Sequence, residues 1–262
     1  MPYRTVNSML MSYREQGQGK PVVLLHGFPL DWRIFEKQVA ALSKNFRVIA
    51  PDLRGFGQSK SDEPFTMASL ADDVHALLKS MDALPCALGG LSMGGYVALA
   101  FAKKYAADLS SLILLDTRAE ADTAEGKAGR GKMIELVRQS GSKAIADQMM
   151  PKMFAEETLK SNPAVVQQLR GIMENCPAKT IEHALAAMRD REDSMDLLPR
   201  ITAPTLIVVG EHDAITPPAI ARGMKAKIRN SKLVEIAGAG HVSTMEKAED
   251  VTAAIEGFLG LE

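Results

Sequence analysis

The stretch GGLSMGG (89–95) surrounds one serine with four glycines. It begins where an apolar run, CALGG (86–90), ends, and it leads into YVALAFAKKYA (96–106), which has the composition of a helix. Such glycines could act as packing spacers or cradle a phosphate. They are also required where a serine is held in a strained conformation at a strand-to-helix turn, because a Cβ atom on either side would not fit. The central G-x-S-x-G matches that turn and predicts that Ser92 stands out from it.

Strands and helices alternate on both sides of this turn. Short apolar runs that stop at glycine or aspartate are typical of strands buried on both faces, and the segments between them have helical spacing. A weak alternation over residues 3–16 predicts one or two edge strands. The buried strands are predicted at PVVLLHG (21–27), FRVIAPD (46–52), CALGGLS (86–92), SSLILLD (110–116), PTLIVVGEHD (204–213) and SKLVEIAG (231–238). This order predicts an α/β fold with a mostly parallel sheet.

The alternation breaks between residues 118 and 199, where we find helical stretches and no strand. We therefore expect a core made of residues 1–117 and 200–262, with a helical cap over 118–199 inserted after the sixth strand. The cap would leave the sheet at the carboxyl end of a strand, where open α/β sheets bind their ligands.

Composition excludes several classes of protein. The net charge of -1 favours neither nucleic acid nor an anionic membrane as a partner. The N-terminal residues lack the apolar core of a signal peptide, and no apolar run approaches the length of a membrane span. The two cysteines, Cys86 and Cys176, have no zinc-site spacing. We expect a cytoplasmic protein, a monomer or small homo-oligomer, that binds a small molecule and needs no metal or cofactor.

A second glycine-rich stretch, GKAGRGKM (126–133), nearly matches the phosphate-binding motif G-x-x-x-x-G-K-[ST]. Met133 stands where the motif needs a hydroxyl, and no strand runs directly into the stretch. We therefore expect a flexible, solvated turn at the start of the cap instead of a nucleotide site.

A serine hydroxyl needs a base before it can act as a nucleophile. In the chain order Ser, Asp, His, the base follows the acid, and His241 is the histidine downstream of Asp213. Asp213 ends a predicted strand and is the preferred acid, while Asp116, at the end of SSLILLD, remains an alternative. Glu211 and Glu246 are expected to be ordinary surface or loop residues.

An acyl-transfer site also needs donors for the oxyanion. The backbone N–H of Met93, just after Ser92 at the start of a helix, is one candidate. The second is the N–H of Phe28 in HGFP (26–29), because a loop after an earlier strand commonly supplies it in this architecture.

The order of five motifs resembles that of the α/β-hydrolase superfamily. They are HGFP, DLRGFGQS, GLSMGG, GEHD and AGAGH. The resemblance implies an eight-stranded sheet with a helical cap, a triad of Ser92, Asp213 and His241, and oxyanion donors at Phe28 and Met93. LDTRAEADT and AMRDREDSMDLLPRI look most similar to small-ester hydrolases and enol-lactonases of the 3-oxoadipate type. Ser92 does not fit the branches that use an aspartate nucleophile.

The expected function is therefore a serine hydrolase that cleaves carboxylic esters or lactones through an acyl-enzyme. Acyl transfer, perhydrolysis or C–C bond hydrolysis at the same triad, and a slow-turnover ligand receptor, remain alternatives.

Segment 118–200 carries as many basic as acidic residues, and Arg118 is expected to pair with Asp122 at i+4. We therefore expect higher activity on uncharged short-chain esters than on carboxylated lactones.

Overall fold

One mixed sheet of eight strands runs through the computed structural model, which describes residues 1–260. The spatial order is β1-β2-β4-β3-β5-β6-β7-β8, with β1 and β2 antiparallel to their neighbours and β3 to β8 parallel. The predicted α/β fold with a mostly parallel, eight-stranded sheet is confirmed. The strands are β1 (Tyr3–Val6), β2 (Met9–Gln16), β3 (Pro21–Leu25), β4 (Arg47–Pro51), β5 (Cys86–Leu91), β6 (Leu109–Leu115), β7 (Thr205–Gly210) and β8 (Ser231–Ile236).

Helices cover both faces of this sheet. Successive strand residues point to opposite faces, and in β3 Val23 and Leu25 belong to one buried cluster while Val22 and Leu24 belong to the other. This double burial is why the central strands are apolar without interruption. The α-helices are α1 (Glu36–Leu42), α2 (Met67–Ser80), α3 (Met93–Lys104), α4 (Ala124–Met149), α5 (Glu156–Ser161), α6 (Pro163–Glu174), α7 (Ala178–Arg189), α8 (Pro218–Lys227), α9 (Ser243–Glu246) and α10 (Ala248–Leu259). Within residues 1–260, no helix has the length and apolarity that a membrane crossing requires.

The helices α4 to α7 form an insertion between β6 and β7, as expected. The boundaries at residues 118 and 199 remain predictions. Residues 261 and 262 of the predicted core segment 200–262 lie outside the described residues.

The expectation of a flexible turn at residues 126–133 is wrong, because this stretch lies inside α4. The Thr123 side chain caps the helix by accepting a hydrogen bond from the amide of Gly126 at 3.1 Å. Each glycine costs a helix up to about 1 kcal/mol, but α4 packs along α7 and α6 and buries Ile134 and Val137. This packing outweighs the low helix propensity, and the helix is interrupted only at Gly141, where φ is 73°.

The glycines around Ser92 are required by close packing between β3, β5, β6 and α3. A Cβ atom on Gly90 would lie 2.2 Å from the carbonyl oxygen of Gly94. On Gly94 it would lie 2.1 Å from the carbonyl oxygen of Leu25, and on Gly95 2.4 Å from Oγ1 of Thr117. The glycines thus let the turn and the first residues of α3 sit directly against the neighbouring strands.

We expect Gly94→Ala to lower the free energy of unfolding by about 3 kcal/mol, at the upper end of the cost of overpacking, because the new methyl group meets a backbone carbonyl. Gly129→Ala, in an open part of α4 where a Cβ meets nothing within 4 Å, should instead stabilise the protein by about 0.5–1 kcal/mol. Urea unfolding of both variants measures the difference. A Gly94→Ala protein as stable as the parent would contradict this account of the turn.

Candidate active site

Ser92 occupies a strained turn between β5 and α3. Its φ of 53° and ψ of -112° lie outside the regions that non-glycine residues favour. The amide of Ser92 donates to the carbonyl of Leu115 at 2.9 Å, and its carbonyl accepts from the hydroxyl of Thr117 at 2.7 Å. The end of β6 therefore holds both sides of the turn in place.

His241 joins the hydroxyl of Ser92 to the carboxylate of Asp213. Its Nε2 lies 2.9 Å from Oγ of Ser92, and its Nδ1 lies 2.8 Å from Oδ2 of Asp213. His241 and Asp213 are both buried. We assign the proton to Nδ1, which donates to the carboxylate, because this leaves the lone pair of Nε2 to accept from the Ser92 hydroxyl. The three residues selected from the sequence thus form one hydrogen-bonded chain.

The turn after β7 holds the carboxylate of Asp213. Its Oδ1 accepts from the amides of Ile215 and Thr216 at 2.8 and 2.9 Å, and its Oδ2 accepts from the Thr216 hydroxyl. Burial acts to raise the pKa of Asp213, but the charge of His241 and these hydrogen bonds lower it to about 2. Burial acts to lower the pKa of His241, but the negative charge of Asp213, its hydrogen bond to the ring and the charge of Asp116 together outweigh burial, so the pKa of His241 is raised.

Asp116, the alternative acid, has a different set of partners. It is fully buried with a φ of 44°, and it accepts from the amide of Gly210 at 2.8 Å and from the hydroxyl of Ser243. Burial and the nearby charge of Asp213 raise the pKa of Asp116 to about 7. Of the two candidate acids, Asp213 is the one hydrogen-bonded to His241. Asp116 instead connects the end of β7 to Ser243, the first residue of α9.

The HGFP loop lies against the Ser92 turn. A Cβ on Gly27 would come within 3.2 Å of Cβ of Ser92, so the Phe28 segment starts beside the serine. The Met93 amide belongs to the first residue of α3, where helix N–H groups have no intrahelical acceptor. Both segments therefore lie beside Ser92, and the role of the Phe28 and Met93 amides as oxyanion donors remains a prediction.

His26 joins the HGFP loop to the loop after β4 through hydrogen bonds. The sequence did not reveal this role. Its Nδ1 donates to the carbonyl of Gly27 at 2.9 Å, and its Nε2 accepts from the amide of Leu53 at 3.0 Å. Burial lowers the pKa of His26 to about 4. The ring is therefore neutral near pH 7, as this pair of hydrogen bonds requires.

The interpretation of Glu246 as an ordinary loop residue is wrong. Its carboxylate accepts from the amide of Gly240 at 2.6 Å and from the amide of Ala155, in the insertion, at 3.0 Å. The amide of Val242 donates to the carbonyl of Met153 at 2.9 Å. Both neighbours of His241 are thus tied to the insertion, through contacts so distant in sequence that no local pattern shows them.

The predicted pairing of Arg118 with Asp122 is also wrong. Asp122 accepts from Nε of Arg130 at 3.0 Å and from Arg191 at 2.8 Å, whereas Arg118 donates to the carbonyl of Ile215. The i+4 rule applies within helices, and residues 118–122 precede the start of α4.

Within residues 1–260, no group of three or more His, Cys, Asp or Glu side chains has an arrangement that could hold a metal ion.

Comparison with known proteins places this architecture in a family. Residues 20–248 match the family model described as alpha/beta hydrolase fold. The chain belongs to the alpha/beta-hydrolase family. Among relatives of this hydrolase, the AB hydrolase superfamily protein YisY of Bacillus subtilis (strain 168) is 34% identical over 265 residues, covering 97% of each chain.

Two solved structures are similar over nearly the whole hydrolase. A thermophilic esterase from Thermogutta terrifontis has a TM-score of 0.95 at 42% identity, over 98% of this chain and 97% of that one. The enol-lactonase from Burkholderia xenovorans LB400 has a TM-score of 0.92 at 29% identity, over 98% and 99%. The resemblance to esterases and enol-lactonases is confirmed at the level of the family.

We expect Asp213→Asn to lower the pKa of His241, because the variant loses the negative charge that favours the protonated ring while burial continues to oppose it. Protonation of His241 would then require a lower pH than in the parent. An NMR titration of the imidazole nitrogens measures this shift. Asp250→Asn, on the exposed surface of α10, should leave the titration unchanged, and an unshifted His241 in Asp213→Asn would refute the electrostatic coupling.

Proposed function

We propose that this alpha/beta hydrolase cleaves carboxylic esters or lactones through a covalent acyl-enzyme on Ser92. The observation that carries the proposal is the pair of hydrogen bonds at buried His241, 2.9 Å to the Ser92 hydroxyl and 2.8 Å to Asp213. A hydroxyl with its base, and a base oriented by a carboxylate, is the arrangement that nucleophilic acyl transfer requires.

In the first half of the reaction, Oγ of Ser92 attacks the carbonyl carbon of the substrate while His241 Nε2 takes the hydroxyl proton. The carbonyl electron pair moves onto oxygen and forms a tetrahedral oxyanion. Asp213 keeps the imidazole in the required tautomer and stabilises the imidazolium. The intermediate then expels the alcohol oxygen, which takes the proton from His241 and leaves an acyl group on Ser92.

The backbone amides of Phe28 and Met93 are the proposed donors to the oxyanion. Each such donor contributes on the order of 3 kcal/mol to transition-state stabilisation in acyl-transfer enzymes. The positive end of the α3 dipole lies at Met93 and favours the same negative charge. The close packing of Gly27 on Ser92 supports this assignment, because it brings the two loops to one point.

In the second half of the reaction, His241 takes a proton from water, and the hydroxide oxygen attacks the acyl carbonyl. The second tetrahedral intermediate breaks the bond to Ser92, whose oxygen recovers the proton from His241. The carboxylic acid leaves, and the residues return to their starting state.

The similarity to an esterase and to an enol-lactonase supports an ester or lactone as the substrate.

We expect a fluorophosphonate probe to label Ser92 stoichiometrically, and the protein to turn over p-nitrophenyl acetate and butyrate. Ser92→Ala and His241→Ala should lose labelling and at least about a thousandfold in turnover, because the residues of such a triad act as a unit. Peptide mass spectrometry locates the label, and steady-state assays measure the turnover.

His212→Ala provides a matched histidine control, since this side chain is more than half exposed and lies outside the hydrogen-bonded chain. Its turnover should equal that of the parent. Labelling of Ser92 with a burst of one equivalent and no further turnover would indicate a receptor instead. Turnover that survives in Ser92→Ala would contradict the proposed nucleophile.

A further inference from the structure

Asp116 directly follows β6, and its carboxylate joins the two segments that carry the proposed base and its acid. Oδ1 of Asp116 accepts from the amide of Gly210 at 2.8 Å, and Oδ2 accepts from the hydroxyl of Ser243. Gly210 precedes Asp213 by three residues, and Ser243 follows His241 by two. The carboxylate of Asp116 is therefore bound to both segments without being a member of the hydrogen-bonded chain.

Close backbone packing brings Asp116 near the ring of His241. A Cβ on Gly210 would lie 2.1 Å from the carbonyl oxygen of Gly240, the residue before His241. The amide that Asp116 binds thus belongs to a residue in direct contact with the His241 loop. Asp116 is fully buried, and charges in such surroundings are weakly screened by solvent and salt. The charges of Asp116 and His241 accordingly act on each other.

Several charged groups surround the base besides its own acid. Burial acts to lower the pKa of His241. Asp213 acts to raise it through its charge and its hydrogen bond, and Asp116 through its charge, whereas the charge of Arg118 acts to lower it. The carboxylate of Glu246, on the same side of the site, is engaged by two backbone amides. Asp116 is thus a second carboxylate that favours the protonated ring.

The hydrogen bonds of Asp116 do not require a negative charge. An asparagine there would accept from the amide of Gly210 and could donate to Oγ of Ser243. Asparagine also tolerates a positive φ, here 44°, as aspartate does. A buried charge costs free energy that a neutral side chain avoids, and burial with the charge of Asp213 raises the pKa of Asp116 to about 7. The charge therefore needs an explanation beyond joining two segments, and the ring of His241 supplies one.

We infer that Asp116 is a positioning residue for the base, and that its negative charge stabilises the imidazolium that His241 becomes when it takes the proton of Ser92. Asp116 gains and loses no proton in this step, and Ser243 keeps its hydroxyl proton throughout. This inference rests on the proposed function and adds a second carboxylate to it. Asp213 orients the ring, and Asp116 makes it a stronger base.

The test measures kcat/KM for p-nitrophenyl butyrate against pH in the parent and in Asp116→Asn. Without the charge, the pKa of His241 falls, so the acid limb of the profile should move to lower pH by about one pH unit. A weaker base takes the serine proton less readily, so the plateau at high pH should fall about three- to tenfold. On the acid side the two profiles should meet, because Asp116 is protonated there in the parent as well.

An NMR titration of the imidazole nitrogens of His241 measures the same coupling without turnover. In the parent, the His241 signals should show two steps, one from the ring and one from Asp116, because the two groups titrate as a coupled pair. Asp116→Asn should show one step at a lower pH. The parent alone tests the inference if the variant does not fold, since a parent titration with a single step would refute the coupling.

Asp82→Asn is a matched control. Asp82 also has a positive φ, 50°, but it is exposed and precedes β5, at the opposite end of that strand from Ser92. The chemical change and the backbone conformation are the same as at Asp116. Its pH profile and its His241 titration should equal those of the parent.

A uniform loss of activity at every pH in Asp116→Asn, with the acid limb in place, would overturn the inference, because Asp116 would then only join the two segments. The NMR titration also separates this inference from the proposed function. A His241 pKa that falls in Asp116→Asn, in a protein that hydrolyses no ester, would sustain the coupling and refute the hydrolase. Ester hydrolysis that depends on Ser92, with a profile that Asp116→Asn leaves in place, would refute this inference alone.

Discussion

The contact between the backbone of Gly94 and the carbonyl of Leu25 determines where everything else in the site can lie. A side chain at position 94 would begin 2.1 Å from that oxygen, so α3 can start directly against the end of β3 only because glycine stands there. This approach brings the HGFP loop beside Ser92 and forces the chain into the positive φ at the serine. The strain, of order 1–3 kcal/mol, is maintained by two hydrogen bonds: the amide of Ser92 donates to the carbonyl of Leu115, and the hydroxyl of Thr117 donates to the carbonyl of Ser92.

Two buried carboxylates and one half-buried carboxylate then connect segments that follow different strands. Asp213 orients His241, Asp116 joins the end of β7 to Ser243, and Glu246 joins Gly240 to the insertion. Asp116 and Glu246 accept hydrogen bonds from amides or hydroxyls on segments far apart in sequence, and Asp213 accepts from its neighbours Ile215 and Thr216 as well as from the distant ring of His241. Asp213 thus orients the ring of the proposed base, while Glu246 and Asp116 hold Gly240 and Ser243 on either side of it in the chain.

Local patterns were sufficient to predict the strands, the Ser92 turn and the residues that meet there. A strand buried on both faces has to be apolar throughout, and a turn as sharp as this one has to use glycine. Both features can therefore be recognised from neighbouring residues in the sequence. The predictions failed where the deciding contact was distant or the local rule did not apply. Residues 126–133 are helical because α4 packs on α7 and α6, and Arg118 does not reach Asp122 because that segment is not helical. The functions of His26 and Glu246 depend on partners in other loops, which no spacing along the chain reveals.

Hydrogen bonds join the His241 loop to the insertion, so the position of the loop depends on the backbone of the insertion. Gly240 and Val242 flank His241, and both connect to the segment from Met153 to Ala155, directly or through Glu246. A Cβ on Gly240 would also meet the backbone of Phe154 at 2.5 Å. If recombination between relatives exchanged the insertion between β6 and β7, the His241 loop would have to be exchanged together with it. Divergence of substrate range in this lineage is therefore expected to proceed by paired changes in two distant parts of the gene.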